Sequence, residues 1–133
     1  MGRKTILMLE DDGDDRYITE TAISDLGLDV EIKFFSNSDK FLEFLMANER
    51  PYLLLIDYNS TPDNGLEVLK KIKSLETVRD LPVIILSDSI SEKYKNDCYA
   101  YGASSFIKKP QTVDATANKI ETFFKYWFSV AEV

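Results

Sequence analysis

The sequence predicts an α/β protein built on an open, doubly wound parallel sheet with helices on both faces. Three observations carry that expectation. Five short apolar runs alternate with longer amphipathic stretches along a chain of 133 residues. Three of the runs are continuously apolar, as parallel strands covered on both faces are. The connections are short, and right-handed crossovers then turn a strict βαβαβαβαβα order into a layered sheet. The length suits one domain without an internal repeat or linker. A hydrophobic share of 44% with five Gly and four Pro excludes a collagen-like or low-complexity chain and argues against disorder.

The first run, residues 5–9, reads TILML and ends at Glu10. The second, 30–35, alternates Val30, Ile32 and Phe34 with Glu31 and Lys33, as an edge strand does. The third, 52–56, ends at Asp57. The fourth, 83–86, follows Pro82 and ends at Ser87. The fifth, 105–107, runs into Lys108, Lys109 and Pro110. Between them, residues 14–26 set Ile18, Ala22 and Leu26 on one helical face, with Gly27 suited to the left-handed position after a helix. Residues 38–48 carry Phe41, Leu42, Leu45 and Met46, and residues 64–75 carry Leu66, Leu69, Ile72 and Leu75. Residues 91–101 place Tyr94, Cys98 and Tyr101 on one stripe, with Ser89 and Glu92 spaced as a capping box and Gly102 closing. Residues 112–130 carry Val113, Ala117, Ile120, Phe124 and Trp127 at helical spacing.

Composition removes several classes of chemistry. There is no histidine, so Ser-His, Cys-His and His-ligated metal mechanisms are out. Cys98 is the single cysteine, so no intrachain disulfide or cysteine metal cluster can form. Sixteen basic residues against 23 acidic leave a net charge of −7, which disfavours nucleic acid and anionic membrane surfaces as partners. No stretch reaches membrane length, and the first apolar run is too short for a signal peptide. Gly2 follows Met1, but Ile6 stands where a myristoylation signal needs Ser or Thr. The expected location is the cytoplasm.

In an open parallel sheet, ligands bind outside the carboxyl ends of the strands. Those ends supply Glu10, Asp11 and Asp12, then Asp57, Ser87 and Lys109. Clustered carboxylates raise one another's pKa, and a divalent cation with oxygen ligands neutralises them. An all-oxygen donor set suits Mg²⁺ or Mn²⁺ rather than zinc. Mg²⁺ keeps room for phosphate oxygens, so the site asks for a phosphoryl group that Lys109 and Ser87 would bind. A carboxylate beside the metal is then a phosphoryl acceptor. Singly, each residue has a plainer reading. The acidic run 10–12 could cap the first helix, Asp57 could belong to a turn, Ser87 to a loop, and Lys109 to a solvated strand end. Complementary chemistry at four strand ends favours the functional reading.

The blocks ILMLEDD, LLLIDYN…G, VIILSDS and FIKKP, in this order and at these spacings, resemble the signature blocks of response-regulator receiver domains. The resemblance runs from Thr5 to the last helix. It implies a flavodoxin-like (βα)5 fold with strand order 2-1-3-4-5, and a single chemotaxis-regulator-like receiver domain over residues 1–133 without an output domain. It also implies that Asp57 accepts a phosphoryl group from a sensor histidine kinase or phosphotransfer protein, with Mg²⁺ held by Glu10, Asp11, Asp57 and the carbonyl of Asn59. Ser87 and Phe106 match the switch positions and Lys109 the phosphoryl-binding lysine. The bond from Lys109 to Pro110 is implied to be cis. Such a protein catalyses its own phosphorylation without turning over a free substrate. The aromatic end FFKYWF is similar to single-domain receivers paired with phytochrome-type or hybrid sensor kinases. Phe123, Phe124, Tyr126, Trp127 and Phe128 occupy too many faces for one stripe, so a homodimer or partner contact through the last helix is expected.

Three features depart from the family pattern and bear on the rate of phosphorylation: Pro62 one place late, Asp88 after Ser87, and Asp63 in the loop after Asp57. A non-phosphorylated interaction module is the alternative, opposed by the intact set of site residues. An aspartyl-nucleophile phosphatase would need a second acid where Asn59 stands. A flavin module would need a phosphate loop after the first strand, and none is present.

Overall fold

Strands and helices alternate in the expected order: β1 (Lys4–Leu9), α1 (Gly13–Asp25), β2 (Val30–Phe35), α2 (Ser38–Ala47), β3 (Leu53–Asp57), α3 (Gly65–Lys73), β4 (Val83–Ser87), α4 (Glu92–Ala100), β5 (Ser105–Lys108) and α5 (Val113–Ser129). The computed structural model describes residues 4–89 and 91–129. Gly2 and the expected helix end at residue 130 lie outside the described residues.

The five strands form one parallel sheet in the order β2-β1-β3-β4-β5. The alternating run is an edge strand and the three continuous runs are central, as their patterns predict. The period of two along each strand explains the continuous runs. Leu7, Leu9, Leu54, Ile56, Val83 and Ile85 face one way, into a core closed by Phe41, Leu45, Val68, Leu69, Ile72 and Cys98 of α2, α3 and α4. Ile6, Met8, Leu53, Leu55, Ile84 and Leu86 face the other way, against Ile18, Ala22 and Ile23 of α1 and Ile120 and Phe124 of α5. A polar residue at any of these positions would lie in one of two packed layers.

The helix ends follow local chemistry. Asn37 and Asn64 cap α2 and α3 by accepting from the backbone N–H of Lys40 and Glu67. Gly27 and Gly102 take φ values of 64° and 97°, the left-handed conformation that closes α1 and α4. The expected capping box of Ser89 and Glu92 is not formed. Ser91 is the N-cap of α4 and accepts from the Tyr94 N–H, while Ser89 Oγ accepts from the Ser91 N–H one turn earlier. Starting the helix at Glu92 leaves that residue at N1, where it cannot reach back as a box requires.

The aromatic end of α5 is largely absorbed by its own chain. Phe124 is buried. Phe123 packs edge-on against it, Trp127 stacks on Phe123, and Phe128 stacks on Tyr52. Tyr126 faces outward, and the Trp127 indole N–H has no hydrogen-bond partner among the described residues.

Candidate functional site

The acidic run after β1 divides between the two roles open to it. Asp12 is the N-cap of α1, its Oδ1 accepting from the Asp14 and Asp15 N–H groups at 2.8 and 3.1 Å. Glu10 is buried and Asp11 is exposed. A carboxylate oxygen from each of Glu10, Asp11 and Asp57 lies within 4.8 Å of the others. That spacing, with oxygen donors alone, fits a divalent cation.

Parallel register sets the remaining positions. Asp57 ends β3 opposite Leu86, so Ser87 lies one residue further along the neighbouring strand, and Ser87 is opposite Lys108 of β5. Lys109 follows at once, its N–H donating to the Ser87 carbonyl at 2.8 Å. The buried Lys109 side chain reaches acids that follow β1, open α1 and end β3. Its Nζ lies 2.7 Å from Glu10 Oε1, 2.7 Å from Asp15 Oδ2 and 3.8 Å from Asp57 Oδ1. The Asn59 N–H donates to Asp57 Oδ1 at 3.2 Å. Ser87 is fully buried, its Oγ accepting from the Ser89 N–H at 3.1 Å. Phe106 lies outside this cluster, half-buried on β5 against the α2–α4 core.

Burial pushes the Glu10 carboxyl up to about 8; the Lys109 ammonium opposes the rise and Asp57 adds to it. Burial also works against the Lys109 charge, yet hydrogen bonds to Asp15 and Glu10 hold that group above its ordinary value. The two directions are compatible because one ammonium is shared among three carboxylates. Counting Asp11, four acids face one cation, so the pocket keeps a surplus of negative charge.

Two expectations about the surroundings change. The bond between Lys109 and Pro110 is trans, and the cis peptide among the described residues is Thr61–Pro62. The intrinsic preference of an X–Pro bond is only about 0.5–1 kcal/mol, so the local turn decides it. Asp63 does not add a bare charge near Asp57, because its carboxylate is paired with Lys71 on α3. Asp88 is exposed, at the end of β4.

Asp15 and Arg16 belong to the site and carry no signature in the four blocks. Arg16 Nε donates to the Glu10 carbonyl and its guanidinium reaches Ser36 Oγ, both at 2.6 Å, tying the ends of β1 and β2 to α1. The signal for Asp15 was periodicity. It precedes Ile18 by three residues and Ala22 by seven, so it lies on the inward stripe of the helix.

A family model described as the response regulator receiver domain matches residues 6–121. This chain therefore belongs to the response-regulator receiver family of two-component signalling. It is 27% identical over 127 residues to the probable methanogenesis regulatory protein FilR2 of Methanothrix harundinacea, covering 92% of this chain and 82% of that one. The crystal structure of the phosphorylated cyanobacterial phytochrome response regulator RcpA superposes with a TM-score of 0.91, at 26% identity and 98% coverage of both chains. The Mn²⁺-bound form of response regulator Rcp1 superposes at 0.92 over 98% of both chains, with 22% identity. No helix among the described residues is long and apolar enough to cross a membrane.

Proposed function

We propose that Asp57 is the phosphoacceptor of this receiver, taking its phosphoryl group from a phosphohistidine of a sensor kinase or phosphotransfer protein. The observation that carries the reading is the shared cluster. A buried aspartate at a strand end has two carboxylates within metal-ligand spacing and a buried ammonium 3.8 Å from its Oδ1. An Asp57 oxygen attacks phosphorus as the P–N bond breaks. The electron pair stays on that imidazole nitrogen, and with a proton already on the other ring nitrogen the histidine leaves neutral. Lys109 supplies an N–H to the transferred group, and the Ser87 hydroxyl is placed to follow it. Glu10, Asp11, Asp57 and the Asn59 carbonyl would hold Mg²⁺, which offsets the surplus charge of the pocket and that of the phosphoryl oxygens. The Mn²⁺ named for Rcp1 and the phosphorylation named for RcpA support this reading of the matching fold.

The transfer is single-turnover, so the protein acts as a switch rather than an enzyme with a free product. Phe106 is the switch aromatic, and the receiver works in the cytoplasm and signals by contact or relay. A homodimer through α5 keeps Tyr126 as its support, and sedimentation of the phosphorylated protein tests it. The decisive experiment incubates the protein with Mg²⁺ and acetyl phosphate and measures intact mass. Wild type should gain one phosphoryl group and Asp57→Asn none. Equal uptake by Asp57→Asn on the same peptide would refute the assignment.

A further inference from the structure

Lys109 has three N–H donors, and two of them are committed to Glu10 and Asp15, each at 2.7 Å. The third side of the ammonium faces Asp57 Oδ1 across 3.8 Å, about 1 Å beyond a charge-assisted hydrogen bond. The two strong partners are therefore not the acceptor. We propose that Asp15 is a positioning residue that, with Glu10, holds the Lys109 ammonium off Asp57, so that Oδ1 keeps its hydrogen bond from the Asn59 N–H at 3.2 Å without a charge-assisted one from the lysine. The proposal rests on the reading of Asp57 as phosphoacceptor.

Asp15 is itself firmly held. Its N–H donates to Asp12 Oδ1, its carbonyl accepts from Thr19 Oγ1 at 2.9 Å, and the next residue, Arg16, is tied to the Glu10 carbonyl. The Lys109 backbone is fixed by its hydrogen bond to Ser87. Both ends of the Asp15–Lys109 pair are thus anchored, one on α1 and one after β5. A buried ammonium that loses one carboxylate must find another acceptor or leave a charge uncompensated. The nearest candidate is Asp57 Oδ1. Direct pairing there would stabilise the negative charge that has to attack phosphorus, lower its nucleophilicity and cover the line of approach.

The expected effect of removing Asp15 is opposite to that of bare electrostatics. Removing an acid near the pocket should, by charge alone, help an anionic phosphodonor approach. Removing Asp15 should nevertheless slow the transfer, because Lys109 falls onto the acceptor. The test compares wild type with Asp15→Asn, Asp15→Ala, Asp15→Glu and, as a control, Asp14→Asn, an exposed acid on the same helical turn that is not among the ion-pair partners of Lys109. Two quantities are read: the initial rate of phosphoryl uptake from acetyl phosphate, and the Lys109 Nζ to Asp57 Oδ1 distance in metal-free crystals. Asp15→Asn should be slower by on the order of fivefold, with the distance contracted to about 2.7–3.0 Å. Asp15→Ala should behave alike if the Asn variant folds poorly. Asp15→Glu should restore both readings, and Asp14→Asn should react at or above the wild-type rate. Asp15→Asn reacting as fast as wild type, or slowing without any contraction, would overturn the proposal. A wild type that takes up no phosphoryl group would refute the Asp57 reading alone, because the distance still decides whether Asp15 holds the lysine away.

Discussion

Replacing Gly65 by alanine adds one methyl group at the start of α3, and the structure says what that group would strike. An ideal Cβ there would lie 2.8 Å from Tyr58 Cα, 3.1 Å from the Asp57 carbonyl oxygen and 3.3 Å from Tyr58 N. All three are backbone atoms, so no side chain can rotate away. The same backbone is pinned by the Gly65 N–H, which donates to the Tyr58 carbonyl at 2.7 Å. Overpacking of this kind costs about 1–3 kcal/mol. The better helix propensity of alanine returns at most about 1 kcal/mol, and less in the first turn. A net loss of about 1–2 kcal/mol should lower the melting temperature by roughly 3–10 °C in a domain of this size. Gly13 supplies the matched control, since it opens α1 with nothing within 4 Å of its added Cβ. Gly13→Ala should leave the melting temperature unchanged or raise it. Because the strained atoms belong to Asp57 and Tyr58, Gly65→Ala should also take up phosphoryl groups more slowly, which Gly13→Ala should not. Thermal melts by circular dichroism and the acetyl phosphate assay read both effects. A Gly65→Ala protein as stable as Gly13→Ala would refute the close approach of α3 to the end of β3.

Burial pushes the Glu10 carboxyl from its ordinary 4.5 up to about 8 in the folded protein, so between those values the folded state binds more protons than the unfolded one. Metal-free protein should therefore lose stability as pH rises from about 4.5 to about 8, and Glu10→Gln should flatten that slope; melting curves in chelator across the range would refute this if the two slopes agreed. Cys98 is buried and its thiol is pushed up to about 11 by that burial, so it should resist alkylation at neutral pH until denaturant opens the domain. Rapid modification of native protein, followed by intact mass, would contradict the packing of α4. Asp88 is exposed near the pocket, and Asp88→Ala should speed uptake from anionic donors about two- to fourfold at low ionic strength, with the gain fading in salt. Identical rates at low salt would leave Asp88 without electrostatic influence on the site.

Much of this molecule was legible in its sequence because its strands are short and its chemistry sits where strands stop. A continuous apolar run such as LLLI has no solvent face to offer, so it must be central, and the alternating run of Val30 to Phe35 must be an edge. Gly27 and Gly102 stand where only a left-handed residue closes a helix. Parallel pairing then brings the carboxyl ends of β1, β3 and β5 together, and Glu10, Asp11, Asp57 and Lys109 meet there whatever the details of the loops. Tertiary structure decided how the charges at that end are shared. Sequence spacing could not separate Asp12, which caps α1, from Glu10, which pairs with Lys109, because both roles suit an acid before a helix. Nor could it commit Asp15 to Lys109, 94 residues away, because that contact depends on the rotation of α1 against the sheet. The aromatic end of α5 was equally open. Whether its rings face a partner or their own core is set by where Tyr52 and the α1 face lie, and the described packing turns all but Tyr126 inward. Local pattern determines which elements form because backbone and burial preferences act over a few residues. The partner of each polar group is decided only when distant segments are brought within a few ångströms, where a hydrogen bond either forms or does not.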